Sequence, residues 1–454
     1  MVIVGGGVSG LATAYFLGKL GIGSTLIEKS DRLGGLIRTD LVEGCRLEAG
    51  PDSYIAAKPA VTDLAQELAG LNDQIIGSKD EKRRIFVVRE GRLVPMPQGM
   101  AMMVPAQWGP VLRSRLFSFR TKCSFFAELF CTPVERRTDV SVNEFIADHF
   151  GKEVLQYVVQ PLLSGVYGGD SDRLSAESVL PRFLAYERKY GSLIRGARQE
   201  RRKTPKKSSL FLSFRGGMQA LTDSLAHAVA ESTTVVHAEA TRVERARTGW
   251  HVYAGEGRVD ADQVVLACPA HASARLLEGS EPPLAMELAR IRYSSAILVN
   301  LVYERSELPH DGDGFGFLVP LDERRSIAAA TWVTTKFPDR APAHFAVLRA
   351  FIVEPEVTEL LTFPKEELIG LVRAEFKRLI GIEAAPRLEI VQAWPCSMPQ
   401  YEVGHRRRWE KIFQLMAQRR GLYVTGNAYD GVGVPDCIRL AEETAKVVAA
   451  QIAV

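Results

Sequence analysis

The chain has 454 residues, 46% apolar and 24% charged, a globular profile too long for one ordinary core, so two or three compact parts are expected. Its net charge of +3, with no face-sized Lys/Arg cluster interleaved with aromatics, argues against a nucleic-acid partner. Six scattered cysteines (Cys45, Cys123, Cys131, Cys268, Cys396, Cys437) make no C-x-x-C pair and no zinc spacing, so they are expected to be reduced and mostly packing, with no metal site. No run approaches the ~20 apolar residues of a membrane span. No leader is visible before the first apolar stretch, so a cytoplasmic protein is expected, one that rests at most on a membrane surface.

In chain order, apolar VIV, a glycine turn, the helical pattern SGLATAYFLGKLG and the strand STLIEK read as a β-α-β unit. Residues 83–96 read as a hairpin around Glu90 and Gly91, and the next hundred residues look helical. Within them, 96–130 mix Met100, Met102, Met103, Trp108, Leu116, Phe117, Phe119, Phe125 and Phe126 with Arg113, Arg115, Arg120 and Lys122. The basic run Arg198–Ser209 reads as a solvated linker. Strands then dominate to about residue 400, and the chain closes with a short strand, a glycine-rich turn and a helix.

Gly5, Gly7 and Gly10 fall in G-x-G-x-x-G spacing between the first strand and helix. Such glycines give a tight turn, a close backbone approach to a pyrophosphate and close helix–strand packing, and the helix N terminus supplies N–H groups to phosphates. Glu28, at the end of the second strand, can accept from ribose hydroxyls. The continuation SDRLGGLIRT, with Gly34 and Gly35, then Glu48-Ala49-Gly50-Pro51, provides backbone for a cofactor longer than NAD and points to FAD. Arg32 or Arg38 could face its phosphates, or be surface arginines on an ordinary turn. Gly426, Gly431 and Gly433 precede Pro435, which suits a first helical turn. That helix would aim its positive end at a reduced flavin, or be a structural helix with a glycine cap.

GGGVSG, Glu28, RLGG, EAGPDS, VVLACPA, AWPCSMPQYEVGH and GNAYDGVGVPDCI together resemble the flavin amine-oxidase superfamily. Within it, PLLSGVYGGDSDRLS, GFGFLVP and GNAYDGVGVPDCI are similar to oxygen-dependent protoporphyrinogen and coproporphyrinogen oxidases. The resemblance implies an α/β (α+β) fold. A discontinuous Rossmann-like FAD-binding domain (1–77, 208–272, 402–454) would carry an inserted mixed-sheet substrate-binding domain (78–99, 273–401) and a helical membrane-facing domain (100–207).

It implies non-covalent FAD, held also by Ser9, Pro51, Asp52, Ser53 and Ala267, with Val243 against the adenine and Trp394 and Val434 near the flavin. Arg84 would meet a substrate propionate, or be a surface arginine. Phe315 and Leu318 would sandwich the tetrapyrrole, or be core packing, and Gly165 would leave room beside it. Arg84 favours protoporphyrinogen IX, Asp52 favours coproporphyrinogen III, and the reading leans to the former because the arginine's role is clearer.

The implied reaction passes a hydride from a meso carbon to FAD while a pyrrole N–H proton leaves. O2 then reoxidises the flavin with formation of hydrogen peroxide. No side chain is named as an acid–base catalyst. Implied partners are the porphyrinogen, O2, an anionic membrane surface, the next enzyme of heme synthesis and a second copy in a homodimer. A flavin amine oxidase would carry a lysine where Val299 stands, and a prenyl-protein escort would not need the intact glycine motifs; both are the rival readings.

Overall fold

The computed structural model describes residues 1–203, 209–309 and 312–452. The short β-branched and leucine-rich runs form a five-stranded parallel sheet from three distant parts of the chain. Its strands are β1 (Val2–Val4), β2 (Ser24–Glu28), β3 (Thr233–His237), β4 (Val264–Leu266) and β5 (Leu422–Val424), in the spatial order β3-β2-β1-β4-β5. Each pairing is parallel and β1 and β4 are buried along their whole length, as a doubly wound sheet covered on both faces requires. Helix α1 (Val8–Lys19) and the closing helix α2 (Val434–Ile452) pack together on it through Leu11, Ala12, Ala14, Ile438, Ala441 and Ala445. The reading of an opening β-α-β unit, and of a dinucleotide-type sheet assembled from the start, middle and end of the chain, matches this topology.

These strands belong to a unit made of Met1–Ser78, Leu210–Arg292 and Arg406–Val454. A second unit comprises Lys79–Ser209 and Tyr293–His405. In it a seven-stranded mixed sheet runs in the order Leu388–Pro399, Tyr293–Glu304, Phe345–Ile352, Ala329–Trp332, Gly316–Leu318, Ile85–Arg89, Arg92–Pro95. The expected hairpin supplies the last two strands, and among the described residues the only parallel pairing in this sheet joins Gly316–Leu318 to Ile85–Arg89. Helix Lys365–Ile380 covers the sheet, with Val372 and Phe376 fully buried among Ile297, Val299 and Leu301. Helices from Trp108–Arg113 to Leu193–Lys203 complete the unit, and Glu128 and Glu187 meet both ring nitrogens of His149 at 3.2 and 3.1 Å inside them.

Three expectations are corrected. Residues 273–292 fall with the first unit, because helix Ala270–Leu277 packs on strand Ala240–Arg245 and Ser280 bonds the Val243 carbonyl at 2.6 Å. Residues 100–203 group with the mixed sheet instead of forming a third body. The basic linker is helical as far as Lys203, where Gln, Glu and Arg favour helix and Glu200 pairs with Arg182 at 2.6 Å; residues 204–208 lie outside the described residues.

The six cysteines are free, with Cys45 and Cys437 buried but Cys123 and Cys396 exposed, so packing explains fewer of them than expected. Among the described residues no helix is long and apolar enough to cross a membrane, and no His/Cys/Asp/Glu group could hold a metal ion.

Phe376→Ala leaves a cavity under the mixed sheet. It is expected to destabilise the protein by about 3–5 kcal/mol, measurable by chemical denaturation.

Candidate functional site

The first site is built where β1 turns into α1. Gly5 has φ +110°, a conformation that side chains rarely adopt, and a Cβ on Gly10 would lie 1.9 Å from the Gly5 carbonyl oxygen. Ala267, which follows β4, closes the turn from the other side: its N–H donates to Val4 at 2.8 Å, and its carbonyl would meet a Gly5 Cβ at 2.9 Å. Gly7 caps α1 without any side-chain cap, and a Cβ there would have only Gly35 within 4 Å, at 3.9 Å. The first-turn N–H groups of α1 therefore face a gap that a phosphate could fill.

Glu28 ends β2 with its carboxylate on this turn, where Oε2 accepts from the Gly6 N–H at 2.7 Å and Oε1 from the Ser30 N–H at 2.9 Å. A ribose hydroxyl would use the remaining lone pairs. Gly34 donates to the Gly6 carbonyl at 2.8 Å, so the second glycine pair lies against the first. Arg32 does not present its guanidinium as a free phosphate ligand. It bonds the carbonyls of Leu33 at 2.9 Å, Ile37 at 3.1 Å and Gly35, so it staples the loop, and burial lowers its pKa from the ordinary arginine value. Arg38 pairs with Asp40 at 2.8 Å.

Beyond the loop, Gly50 packs on the Leu36 carbonyl with no room for a Cβ, and Pro51 leads to Asp52 and Ser53. The Ser53 hydroxyl donates to Asp52 Oδ1 at 2.7 Å, and the Asp52 carbonyl accepts from Ser213 at 2.7 Å. After β5, Gly426 would bring a Cβ near only Ser9 Oγ, at 3.8 Å, a second open stretch of backbone. Gly433 and Val434 then open α2. Cys437, one turn in, is fully buried and hydrogen-bonded to Ser9. Burial pushes its thiol up to about 11, so it is neutral at physiological pH.

Gly5, Gly7, Gly34, Ala267 and Gly426 thus lie beyond the carboxyl ends of the parallel strands, where doubly wound sheets bind ligands. An adenine against Val243 would have to meet its backbone. The Val243 side chain is completely buried between its own sheet and helix Ala270–Leu277, which leaves an adenine no side-chain surface to touch.

Trp394 and the four expected substrate residues belong to the second unit. Trp394 sits part-buried on strand Leu388–Pro399, opposite Ala296. The parallel pairing of Gly316–Leu318 with the hairpin brings Arg84 and Phe315 together, and the Phe315 N–H donates to the Arg84 carbonyl at 2.8 Å. Phe315 is 5% exposed and Leu318 is half-buried, so Phe315 is mostly core and only Leu318 offers surface. Gly165, on helix Gln160–Tyr167, is exposed, and a Cβ there would meet nothing within 4 Å. Arg84 is half-exposed, and its Nη1 lies 2.5 Å from Asp313 Oδ2.

Sequence reasoning missed Asp313, whose position two residues before Phe315 gave no signal of a partner in the hairpin. It also missed Lys58 and Asp436, although a carboxylate three residues after a capping glycine is a readable helix-start signal. Strand Tyr293–Glu304 contains no lysine, and Val299 within it is fully buried.

The family model for flavin-containing amine oxidoreductases matches residues 8–449. The chain belongs to this family. As a member it is a flavin-dependent oxidoreductase, and the open backbone at Gly7 and Gly426 suits such a cofactor. It is 31% identical to a coproporphyrinogen III oxidase of Bacillus subtilis (strain 168), covering 96% of this chain and 95% of the relative. It is 25% identical to protoporphyrinogen oxidase 2, chloroplastic/mitochondrial, of Arabidopsis thaliana, covering 96% and 90%. Among solved structures, a protein of Exiguobacterium sp. 255-15 described provisionally as a protoporphyrinogen oxidase superposes with a TM-score of 0.88 at 29% identity, covering 99% of this chain and 98% of that one.

Gly10→Ala forces its new methyl into the Gly5 carbonyl. The purified variant is expected to lack flavin absorbance while keeping its far-UV circular dichroism.

Proposed function

We propose that the protein oxidises a porphyrinogen to the porphyrin with non-covalently held FAD and O2, and that coproporphyrinogen III is its preferred substrate. Support comes from the glycine cradle on a flavin-oxidoreductase fold, together with 31% identity to a coproporphyrinogen III oxidase over nearly the full length of both chains. The preference departs from the sequence-based leaning. Asp52 and the higher identity favour coproporphyrinogen III, and they outweigh Arg84, whose exchangeable pair with Asp313 leaves it able to meet a propionate of either porphyrinogen. Protoporphyrinogen IX is the second reading, favoured by the Exiguobacterium neighbour.

When bound, FAD supplies a two-electron acceptor that O2 reoxidises with release of hydrogen peroxide. The chain's own part is position and exclusion of water. The N terminus of α1 and the glycine backbone would hold the pyrophosphate, and Glu28 the ribose. Non-covalent attachment is supported by part-buried Cys268 and buried Cys437, since desolvation raises the pKa of both thiols and disfavours the thiolate that a covalent link would need. Leu318 and the open side of Gly165 would border the macrocycle. Arg84 would exchange Asp313 for a propionate, a swap of one charge-assisted pair for another.

The helical part of the second unit supports docking on an anionic membrane. Phe119, Phe126 and Phe130 are 81%, 60% and 71% exposed, while Met103, Leu116, Phe117 and Phe125 are core. A spacing of seven puts Phe119 and Phe126 on one face of helix Phe119–Glu128, next to Arg120 and Lys122, and Phe130, just past the helix end, packs edge-on against Phe126 with ring centroids 5.6 Å apart.

Anaerobic mixing with each porphyrinogen tests the reading: coproporphyrinogen III should bleach the flavin faster, with porphyrin fluorescence after air is admitted. Bleaching by neither substrate would overturn the assignment. Arg84→Ala should raise KM with kcat little changed, because a propionate is bound equally in ground and transition states. The triple change of Phe119, Phe126 and Phe130 to Ser should abolish pelleting with anionic vesicles at low salt.

A further inference from the structure

The N terminus of α2 contains a carboxylate whose negative charge opposes the positive end of the helix. Asp436 is three residues past the capping Gly433, and its Oδ2 accepts from the Gly433 N–H at 3.3 Å, half of a capping box. The G-x-G turn is fitted to it, since a Cβ on Gly431 would lie 2.3 Å from the Asp436 carboxyl carbon. Asp436 is 8% exposed, so its charge is not dissipated into water. A lone carboxylate here would cancel the positive end of the helix, equivalent to roughly half an elementary charge.

The opposing charge comes from a distant part of the chain. Lys58 Nζ reaches both oxygens of Asp436, at 2.7 and 2.6 Å. It stands between strand Tyr54–Ile55 and helix Ala60–Glu67, and that helix packs on α2. The lysine side chain is half-exposed, so the pair adds little to stability. Its effect is on the local field. The cap keeps its carboxylate and the helix end stays electropositive.

We propose that Lys58 is a positioning residue for the flavin: by neutralising Asp436 it keeps the N terminus of α2 electropositive toward the bound cofactor and so favours the reduced, anionic form. This rests on the reading that the flavin lies beside α2. The side chain itself takes no part in the reaction.

Sulfite provides the probe, since its addition to N5 of an oxidised flavin leaves negative charge on the ring and is favoured by nearby positive charge. The flavin-loaded protein and its K58M, D436N and double variants would be titrated with sulfite, and the flavin reduction potential measured in parallel. K58M should bind sulfite more weakly by roughly five- to thirty-fold, the range of a part-buried charge at a helix terminus, with its potential shifted negative. D436N, whose amide oxygen can still accept from Gly433, should bind sulfite more tightly than wild type. The double variant, again neutral, should return to within about twofold of wild type.

A purely structural role predicts instead that the double variant is at least as impaired as K58M, and that result overturns the proposal. Should K58M fail to load flavin, D436N and the double variant decide: D436N no tighter than wild type rejects the idea. Wild-type protein without any flavin would refute the cofactor reading itself. Flavin present but insensitive to all three variants would refute only the role of Lys58.

Discussion

The first unit depends on how closely the start of α1 approaches the turn before it. A Cβ at Gly10 would fall 1.9 Å from the Gly5 carbonyl, so the helix can sit there only without a side chain. That approach aims the N terminus of α1 along the carboxyl edge of β1 and leaves its first-turn N–H groups without a side-chain cap. The other parts of the cradle are referenced to the same turn. Ala267 closes it from β4, Glu28 accepts from Gly6, and Gly34 bonds back to Gly6. The cradle is coherent because the segments that follow β2 and β4 each meet this one turn.

Several charged side chains near the candidate sites are occupied before any ligand arrives. Arg32 is bound to three carbonyls of its own loop, Arg84 to Asp313, and Asp436 to Lys58. A guanidinium held by carbonyls shapes backbone and is slow to leave, since each lost bond strands a part-buried acceptor. A half-exposed pair such as Arg84 with Asp313 is worth little and can be exchanged. The same residue type therefore serves structure in one unit and is available for recognition in the other, and burial decides between the two.

The Met- and Phe-rich segment shows the same division. Its apolar residues cannot all be core and cannot all be surface, and the structure separates Phe117 and Phe125 from Phe119 and Phe126. In helix Phe119–Glu128 the adjacent Phe125 and Phe126 point to different sides, because neighbouring residues on a helix are about 100° apart. The sequence signal of an aromatic-rich segment was legible, but the assignment of each ring to core or surface was not.

Local signals were sufficient for much of this protein. The glycine spacing, the hairpin around Gly91, the strand runs and the closing helix could be read because turns, periodicity and strand propensity act within a few residues, and the glycine cradle followed from them. The family resemblance added the discontinuous architecture. What escaped involved partners far apart in the chain: Asp313 for Arg84, Lys58 for Asp436, the burial of Val243 under helix Ala270–Leu277, and the attachment of residues 273–292 to the first unit. Arg32 escaped at short range, since which of several nearby acceptors a guanidinium takes depends on how the loop is closed. The sequence alone determined which segments would turn, pair or coil. Only the tertiary structure decided which charges neutralise one another and which apolar surfaces stay open, because both depend on distances that no local pattern encodes.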